Sequence, residues 1–281
     1  MALNLISPSA FLHFLSNRLS AGGFPSVPRR RPASLFCCQL SQQQQQQQTS
    51  PRLGIPSPPG RIDCSLLSVS AACSEEELWA AACLRVRTFY DFDPEMFGIE
   101  DHKRYLAEHE FEALKERVAG KSKGFRKVSC INATLPTSVV LNISDDLCPS
   151  CKFSQNGENR VVVGTLDINQ CMSLPGEIMG LKPQGIGADF ARAYISNVCV
   201  AKELHRNGLG YELIQESKRV AEHWGIRDLY VHVAVDNEGA KNLYLKSGFE
   251  LESEEPAWQA RFLNRPRRLL LWTALPITYE L

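Results

Sequence analysis

Residues 205–210 read His-Arg-Asn-Gly-Leu-Gly and stand between an apolar run, residues 193–201, and an amphipathic helix predicted over about residues 209–224. A strand, a glycine-bearing turn and a helix start therefore follow one another. The first turn of a helix has free N–H groups and a positive dipole end, which together bind anions. Gly208 and Gly210 would let a phosphate approach the backbone because neither carries a Cβ. The stretch predicts a binding site for a phosphorylated cofactor.

Two common phosphate-binding motifs do not fit this stretch. A Walker loop needs Lys followed by Ser or Thr after its last glycine, whereas Tyr211 and Glu212 follow here. A Rossmann fingerprint needs three glycines and an acid about twenty residues further on. Asp228 has a suitable offset, but the first glycine of that fingerprint is missing. On these residues alone, an ordinary loop with a helix-start glycine remains the alternative.

The residues after this helix help to decide between a phosphate-binding turn and an ordinary loop. Residues 228–235 alternate and are rich in β-branched side chains, which predicts a strand. A helix then begins at Asp236-Asn237 and ends at Gly248-Phe249, since glycine is the usual residue after a helix. Its residues at helical spacing are Ala240, Leu243, Tyr244 and Ser247. The predicted order is strand, phosphate turn, helix, strand, helix, Gly-Phe, strand.

In this order, several short motifs resemble those of the GNAT superfamily of acetyl-CoA-dependent N-acetyltransferases: Val198–Val200, Arg206–Tyr211, Asn237–Ala240, Leu243-Tyr244 and Gly248-Phe249. The resemblance covers about residues 160–275 and, more loosely, residues 64–125. It departs at the R/Q-x-x-G-x-G/A signature, which opens with His205, although the neighbouring Arg206 could still supply positive charge. It implies an α/β (α+β) GNAT fold: a mixed central sheet flanked by helices. The two central strands would splay apart around a V-shaped cleft, where the pantetheine arm pairs with a strand edge.

The resemblance also implies a site for acetyl-CoA as cosubstrate. The backbone of Val198, Cys199 and Val200 would hold the pantetheine arm and supply an oxyanion donor. The pyrophosphate would lie on the turn formed by Arg206, Asn207, Gly208, Leu209, Gly210 and Tyr211. Asn237 would hydrogen-bond the pantetheine arm, cap the following helix, or do both, and Glu238 and Gly239 lie in the same turn. Such chemistry requires no metal, because the cofactor supplies the activated acetyl group.

Tyr244 is the predicted general acid, and it is also predicted to belong to the cofactor-binding site. It lies seven residues after Asn237, about two helical turns, so both residues project to one face. A free Tyr has a pKa near 10, so it stays protonated and can donate to the departing CoA thiolate. A core aromatic residue is the alternative. For the general base, Asp167, Asn197 and His232 all remain candidates, and none is preferred.

The composition gives no support for a transmembrane protein or for a nucleic-acid-binding protein. The chain has 281 residues, of which 44% are apolar, and no run of 18 apolar residues that would predict a transmembrane helix. Residues 1–62 hold six Arg and no acid, so removing them leaves 25 basic and 31 acidic residues, a net charge of −6. This balance gives no argument for nucleic-acid binding.

Residues 1–62 are expected to be a transit peptide and an unstructured leader, preceding one acetyltransferase domain at residues 63–281. The leader is rich in Ser, Arg and Pro, contains seven consecutive Gln at residues 42–48, and lacks acids. A plastid is favoured over a mitochondrion because the arginines come late and Ser and Pro are frequent. A secretory signal fits less well, because no basic segment precedes the apolar residues 3–15. A disordered regulatory arm is the alternative.

Smaller features complete the prediction. We expect strands over residues 64–72, 127–131, 139–143, 160–168, 191–200 and 267–275, and helices from Ser74 to Tyr90 and over residues 101–118. The inner face of the second helix would hold Tyr105, Leu106, Phe111, Leu114 and Val118. Residues 145–159 should form a polar loop, whose Cys148 and Cys151 are more simply inert than redox-active or zinc-binding. Residues 170–190, with Gly185-Ile-Gly187, should form a long connection beside the substrate.

The leading hypothesis is a plastid protein N-acetyltransferase that acts on N-terminal α-amines, Lys ε-amines, or both. The resemblance is to the plastid-targeted group of plant GNAT enzymes. Its partners would be protein or peptide amines, with no nucleic acid and no membrane span. The alternatives are an acetyltransferase for small amines, such as arylalkylamines or polyamines, and a non-catalytic acyl-CoA-binding module. An acidic or aromatic closed pocket would favour small amines, and an open groove would favour peptides.

Overall fold

The computed structural model describes residues 62–276, apart from Pro94, Met96, Lys123, Asp145, Asp146 and residues 172–190. The leader up to residue 61 and the Gly185-Ile-Gly187 segment therefore lie outside the described residues. Of the expected 170–190 connection, Gln170 and Cys171 belong to a strand.

The described part of the chain alternates strands and helices. Its helices are α1 (Glu75–Phe89), α2 (Ile99–Val118), α3 (Thr137–Leu141), α4 (Leu147–Cys151), α5 (Leu209–His223), α6 (Glu238–Lys246) and α7 (Ala257–Phe262). Its strands are β1 (Ser68–Ala71), β2 (Phe125–Pro136), β3 (Lys152–Gln155), β4 (Glu158–Cys171), β5 (Arg192–Val200), β6 (Asp228–Ala234), β7 (Glu250–Glu254) and β8 (Arg268–Ala274).

These eight strands form one mixed sheet in the order β1-β2-β4-β5-β6-β8-β7, with β3 paired to β4. The β5–β6 pair is parallel and the other described pairs are antiparallel. Because parallel neighbours need a crossover, α5 connects β5 to β6 across one face of the sheet. The predicted mixed sheet flanked by helices is confirmed.

Helices cover both faces of the sheet. The adjacent residues Gly164 and Thr165 of β4 point to opposite faces, as neighbours in a strand do. On one face, a Cβ at Gly164 would lie 3.0 Å from Leu213 Cδ1 of α5. On the other, Arg85 Nη2 of α1 donates to Thr165 Oγ1 at 3.2 Å. The two faces are called here the α5 face and the α1 face. The main hydrophobic core includes buried aliphatic side chains from β2, β4, β5 and β6 together with both sets of helices.

Several local predictions were wrong. Residues 139–143, expected as a strand, lie mainly in α3, while β2 runs on to Pro136. The expected polar loop at residues 145–159 contains α4 and β3, and Cys148 and Cys151 are buried in α4 rather than in a loop. Tyr105, expected on the inner face of α2, is 56% exposed. Helix α7 was not predicted. In the short elements α3, α4, β3 and α7, tertiary packing outweighs local propensity.

Candidate active site

The parallel strands β5 and β6 separate partway along their length. They pair from Arg192–Asp228 to Ile195–Val231. Beyond this point Ser196, Cys199 and Val200 of β5 remain paired with β4, and residues 232–234 of β6 remain paired with β8. The strands therefore diverge at Ser196 and His232, and this V-shaped opening is called the fork. The carboxyl edge of parallel strands is where ligands commonly bind in open α/β sheets.

The β5 side of the fork presents backbone groups to the opening. The Ala201 N–H donates to Val163 O of β4 at 2.8 Å, so the peptide groups of Ala201 point towards β4. Since these groups alternate along a strand, those of Val198 and Val200 point away from β4, into the fork. Cys199, between them, is buried and faces β4. This edge can accept an added strand-like ligand, as the family resemblance implies for pantetheine.

His205 interacts with that edge directly. Its Nε2 lies 3.0 Å from Val200 O. A carbonyl oxygen only accepts, so His205 must carry its proton on Nε2 for a hydrogen bond to form. The residue that departs from the family signature thus holds the last carbonyl of β5, whereas the adjacent Arg206 is exposed.

The predicted phosphate turn links β5 to α5. Arg206 has φ +69° and Gly208 has φ +81°, both left-handed, and α5 begins at Leu209. The N–H groups of Tyr211 and Glu212 donate to Gly208 O at 2.9 and 3.1 Å. The amides of Leu209 and Gly210 precede these bonds, which leaves them oriented outward at the positive end of the helix.

Gly208 and Gly210 serve different purposes in the structure. A Cβ at Gly208 would meet nothing within 4 Å, so its requirement is the positive φ. A Cβ at Gly210 would lie 3.1 Å from Leu243 Cδ2, so this glycine lets α5 and α6 pack closely. Helix packing therefore explains Gly210 better than the phosphate approach that we expected.

The side chain of Asn207 closes the turn. Its Nδ2 donates to Leu204 O at 3.3 Å, and its Oδ1 accepts from the Ile62 N–H at 3.4 Å. Ile62 is itself buried in the main core. The Asn207 side chain is therefore occupied by contacts within the protein. Only the backbone of Asn207 is left to contact a phosphate.

Helix α6 begins at the same carboxyl edge, just after β6. Asn237 is its N-cap, because Oδ1 accepts from the Ala240 N–H at 3.1 Å. Glu238 is exposed and its Oε1 pairs with Lys241 Nζ at 2.8 Å, and Gly239 follows in the first turn. The capping role of Asn237 is thus present, and it does not exclude a contact with the pantetheine arm.

Tyr244 is fully buried on α6, on the α5 face of the sheet, with its ring 5.6 Å from that of Phe249 in an edge-to-face arrangement. Its hydroxyl has no hydrogen-bond partner within the described residues. Such an orphaned donor costs about 1–3 kcal/mol, so its retention needs an explanation. Burial raises the pKa of Tyr244 well above its usual range, and the neighbouring Tyr194 adds to the shift. The hydroxyl therefore stays protonated and is available to a ligand.

On the α1 face, a tyrosine and a histidine meet across the fork. Tyr194 of β5 pairs with Tyr230, two residues before His232, so all three share one face. The Tyr194 hydroxyl lies 3.0 Å from His232 Nδ1. Asn169 Nδ2 donates to Tyr194 O at 3.1 Å and to Ser196 Oγ at 2.9 Å, which fixes β5 beside this pair. His232 was one of the candidate bases, whereas Tyr194 was not foreseen.

Asp167, another candidate base, is committed elsewhere. It is fully buried and accepts from Arg85, Arg117 and Asn197. Burial alone would raise the pKa of this carboxyl, but the two guanidiniums and the amide hold it below its ordinary value. A carboxylate with this many partners is a poor proton acceptor. Asn197 is likewise one of these partners.

The residues that were missed had weak signals in the sequence. Tyr194 and His232 are 38 positions apart, and only the strand pairing brings them together. Arg85 offered a better clue, because it interrupts the apolar inner face of α1 and a buried arginine needs a carboxylate. In the described residues, no cluster of three or more His, Cys, Asp or Glu is placed to hold a metal. No helix among the same residues is long and apolar enough to cross a membrane.

The chain has relatives that match over most of its length. It is 68% identical over 215 residues, 76% of this chain and 78% of the relative, to "GCN5-related N-acetyltransferase 7, chloroplastic" of Arabidopsis thaliana. It is 30% identical to "GCN5-related N-acetyltransferase 6, chloroplastic" of the same plant, over 64% of this chain and 60% of that one. Among solved structures, an acetyltransferase from Salmonella typhimurium, yncA, with its cofactor acetyl-CoA, covers 76% of this chain and 97% of its own, at 13% identity and a TM-score of 0.40.

A family model agrees with these relatives. The model described as "Acetyltransferase (GNAT) family" matches residues 139–249, a range that includes the fork, the phosphate turn and Tyr244. A thioester cofactor carrying a pyrophosphate fits the fork, the outward amides at the start of α5, and the Tyr244 hydroxyl, which has no partner in the described part of the chain. On this combined evidence, the chain belongs to the GNAT family and is an acetyl-CoA-dependent acetyltransferase.

Proposed function

We propose that the chain is a protein N-acetyltransferase of the plastid, transferring acetyl to N-terminal α-amines, Lys ε-amines, or both. The observation that carries the proposal is the fork, which has on one face a protonated Tyr244 hydroxyl without a partner among the described residues, and on the other the Tyr194–His232 pair. A plastid location is supported by the word chloroplastic in the names of both relatives and by the acid-free leader.

The cofactor would enter from the α5 face. The pyrophosphate would lie on the turn at residues 206–211 and bind the outward amides of Leu209 and Gly210, and the pantetheine arm would pair with Val198 and Val200 along β5. When bound, acetyl-CoA supplies a thioester that an amine can attack with CoA thiolate as the leaving group. Tyr244 would donate its phenolic proton towards that sulfur, which avoids releasing a bare thiolate.

The amine would enter from the α1 face. An ammonium group must lose one proton to become a nucleophile, and the nitrogen must lose a second proton as the amide forms. The Tyr194–His232 pair provides a proton acceptor within a hydrogen-bonded unit. Asn169 holds the backbone of Tyr194 and so keeps that hydroxyl next to the fork. The acid and the base therefore act from opposite faces of one opening.

A peptide acceptor is supported by the surroundings of the open edge. Since Ala234 of β6 pairs with Arg268 of β8, the β7–β8 connection that carries α7 lies at this edge. In α7, Trp258 is 66% and Phe262 is 82% exposed. On the β5 side, Arg87 at the end of α1 pairs with Glu203, and the connection that follows carries a fully exposed Phe97. Exposed aromatic residues on both sides suit an extended chain better than a small amine.

The test is acetyl transfer by the protein lacking residues 1–61, with acetyl-CoA and a mixed peptide pool, mapped by mass spectrometry. We expect acetyl groups on α-amines, Lys side chains, or both. His232→Gln and Tyr194→Phe should each lower the rate while leaving acetyl-CoA affinity nearly unchanged. An unmodified peptide pool, together with rapid acetylation of a polyamine or an arylalkylamine, would refute a protein substrate.

A further inference from the structure

We propose that Arg85, Asp167 and Asn197 form a buried positioning unit that fixes a bulge in β5 and so aims the Val198 N–H at the thioester carbonyl. The inference rests on the proposed placement of the cofactor along β5. It assigns a role to three polar residues that neither donate nor accept the transferred groups.

The bulge lies where the fork opens. Asp167 of β4 is opposite Ser196, but Thr165 is opposite Cys199, so β5 holds one residue more than β4 in this interval. Asn197 has φ +54°, a left-handed conformation that few side chains other than Asn and Asp tolerate. One inserted residue at this point matches the geometry of a β-bulge.

The extra residue decides which backbone groups face the fork. Without it, Val200 rather than Ala201 would stand at the position that donates to Val163 O. A shift of one residue reverses the direction of every peptide group that follows. The peptide groups of Val198 and Val200 would then point at β4, and those of Cys199 and Ala201 would face the fork in their place. The bulge therefore decides which backbone donors face the cofactor.

The side chain of Asn197 is held by a buried charge cluster. Its Nδ2 donates to Asp167 Oδ2 at 2.8 Å. Arg85 grips the same carboxylate with two bonds, Nη2–Oδ1 at 2.6 Å and Nη1–Oδ2 at 3.0 Å. The side chains of all three residues are at most 1% exposed. Arg117 Nη2 adds a contact at 3.3 Å to Asp167, and Arg85 Nη1 also reaches Glu110 Oε1 at 3.2 Å.

Stability alone does not account for this cluster. Replacing a buried ion pair with apolar residues of similar volume is often neutral or stabilising, so such a pair is weak evidence for a stabilising role. Here the carboxylate links α1, α2 and β4 to the single residue of β5 that has a left-handed backbone. The geometry fits a device that holds one peptide group in one direction.

The test compares three variants of Asn197 with a matched control. Asn156 has φ +52° and is exposed in the turn between β3 and β4, so Asn156→Ala imposes similar backbone strain away from the fork. For Asn197→Ala we expect kcat to fall about tenfold or more, since loss of one oxyanion donor costs roughly 100-fold or more in other enzymes. Affinity for acetyl-CoA should fall, whereas affinity for CoA, which lacks the carbonyl, should stay within about twofold. Asn156→Ala should change none of these.

Asn197→Gly separates the backbone from the side chain. Glycine accepts the left-handed conformation without strain, so this variant should recover the part of the melting temperature that Asn197→Ala loses to strain, but not kcat or acetyl-CoA affinity. Asn197→Asp places a second carboxylate against Asp167 and should be the least active. If Asn197→Gly retained full kcat and an unchanged preference for acetyl-CoA over CoA, the positioning unit would be refuted.

The binding comparison also separates this inference from the proposed function. A wild-type protein that acetylated no peptide would contradict the protein substrate. The ratio of acetyl-CoA to CoA affinity, measured by calorimetry on the wild type and Asn197→Gly, would still decide the role of the bulge. An unchanged ratio in that pair would refute the positioning unit.

Discussion

Tyr244 combines two properties that rarely occur together: full burial and a hydroxyl without a partner among the described residues. Tyr244→Phe removes only that hydroxyl and keeps the ring against Phe249. We expect kcat to fall roughly 100-fold, as for loss of a general acid, with acetyl-CoA affinity retained. The melting temperature should stay level or rise, because an unsatisfied buried group has been removed.

Tyr105→Phe is the matched control, since this tyrosine is 56% exposed on α2 and should tolerate the change in both assays. A Tyr244→Phe variant with wild-type kcat would leave Tyr244 as a core residue only.

Asp167 connects the site to stability at low pH. Its pKa is held below the ordinary value, so the carboxylate stabilises the fold above the unfolded pKa of about 3.9. The contribution is lost as pH falls through the lower folded pKa. Asp167→Asn should cost about 3–5 kcal/mol at pH 7, because it leaves buried guanidiniums without their carboxylate. The difference from the wild type should shrink below about pH 4.

Urea unfolding at pH 7 and pH 3.5 measures this difference. Asp236→Asn, at an exposed aspartate after β6, provides the comparison and should show little change at either pH. Equal stability of Asp167→Asn and the wild type at pH 7 would contradict the assigned pairing.

At the scale of elements, the turn before α5 has a strict backbone requirement at Gly208. Gly208→Ala forces a side chain to adopt φ +81°, at a cost of about 1–2 kcal/mol. If this turn cradles the pyrophosphate, affinity for acetyl-CoA should fall by about tenfold as well. Gly208→Asn should do less harm, because Asn tolerates the left-handed region.

Gly225 gives a control with the same strain. It follows α5 at φ +72°, and a Cβ there would also meet nothing within 4 Å. Gly225→Ala should lower stability similarly but leave acetyl-CoA affinity unchanged. If Gly208→Ala and Gly225→Ala both lost stability but both kept the wild-type affinity for acetyl-CoA, the turn would not be a phosphate site.

Elements with a clear period and clear ends were predicted well from the sequence. The strand at β5, helix α5, strand β6 and helix α6 were all confirmed within one or two residues of their bounds. Failures fell on short segments. Residues 139–143 hold three β-branched side chains, Val139, Val140 and Ile143, which favour a strand locally, yet the segment follows Pro136 and its first three residues lie in α3. No local pattern decides such a case.

The site was predictable only where its parts are contiguous. The phosphate turn and Tyr244 could be located because each lies within one motif. The family resemblance implied the V-shaped opening, but it did not indicate the bulge at Asn197, which depends on strand pairing, or the Tyr194–His232 pair, which depends on strand register. Both are properties of pairing between segments distant in sequence, so a single sequence without aligned relatives does not reveal them.

At the scale of the whole molecule, the first described residue belongs to the folded domain. Ile62 is buried in the core, and its N–H reaches Asn207 in the phosphate turn. Protein lacking residues 1–61 should therefore keep its stability and its acetyl-CoA affinity. Removing residues 1–66 deletes the buried Ile62 side chain, whose burial is worth about 1.5–3 kcal/mol of folding free energy. It also removes the hydrogen bond from the Ile62 N–H to Asn207 in the phosphate turn.

Thermal unfolding and calorimetric titration with acetyl-CoA on both truncated proteins check this expectation. Identical melting temperatures and affinities would show that Ile62 is dispensable. In that case, cleavage of the leader after residue 62 would not impair the protein.

A continuous sheet divides the space above it from the space below, but the divergence of β5 and β6 opens a passage through it. Tyr244 stands on one side of that passage and the Tyr194–His232 pair on the other. Each reactant then has its own entrance, and neither has to depart before the other arrives. We expect initial-rate lines for varied amine at several acetyl-CoA concentrations to intersect, and CoA to compete with acetyl-CoA but not with the amine. Parallel lines would instead indicate a ping-pong mechanism, in which CoA leaves before the amine binds and the acetyl group is held covalently by the protein between the two steps.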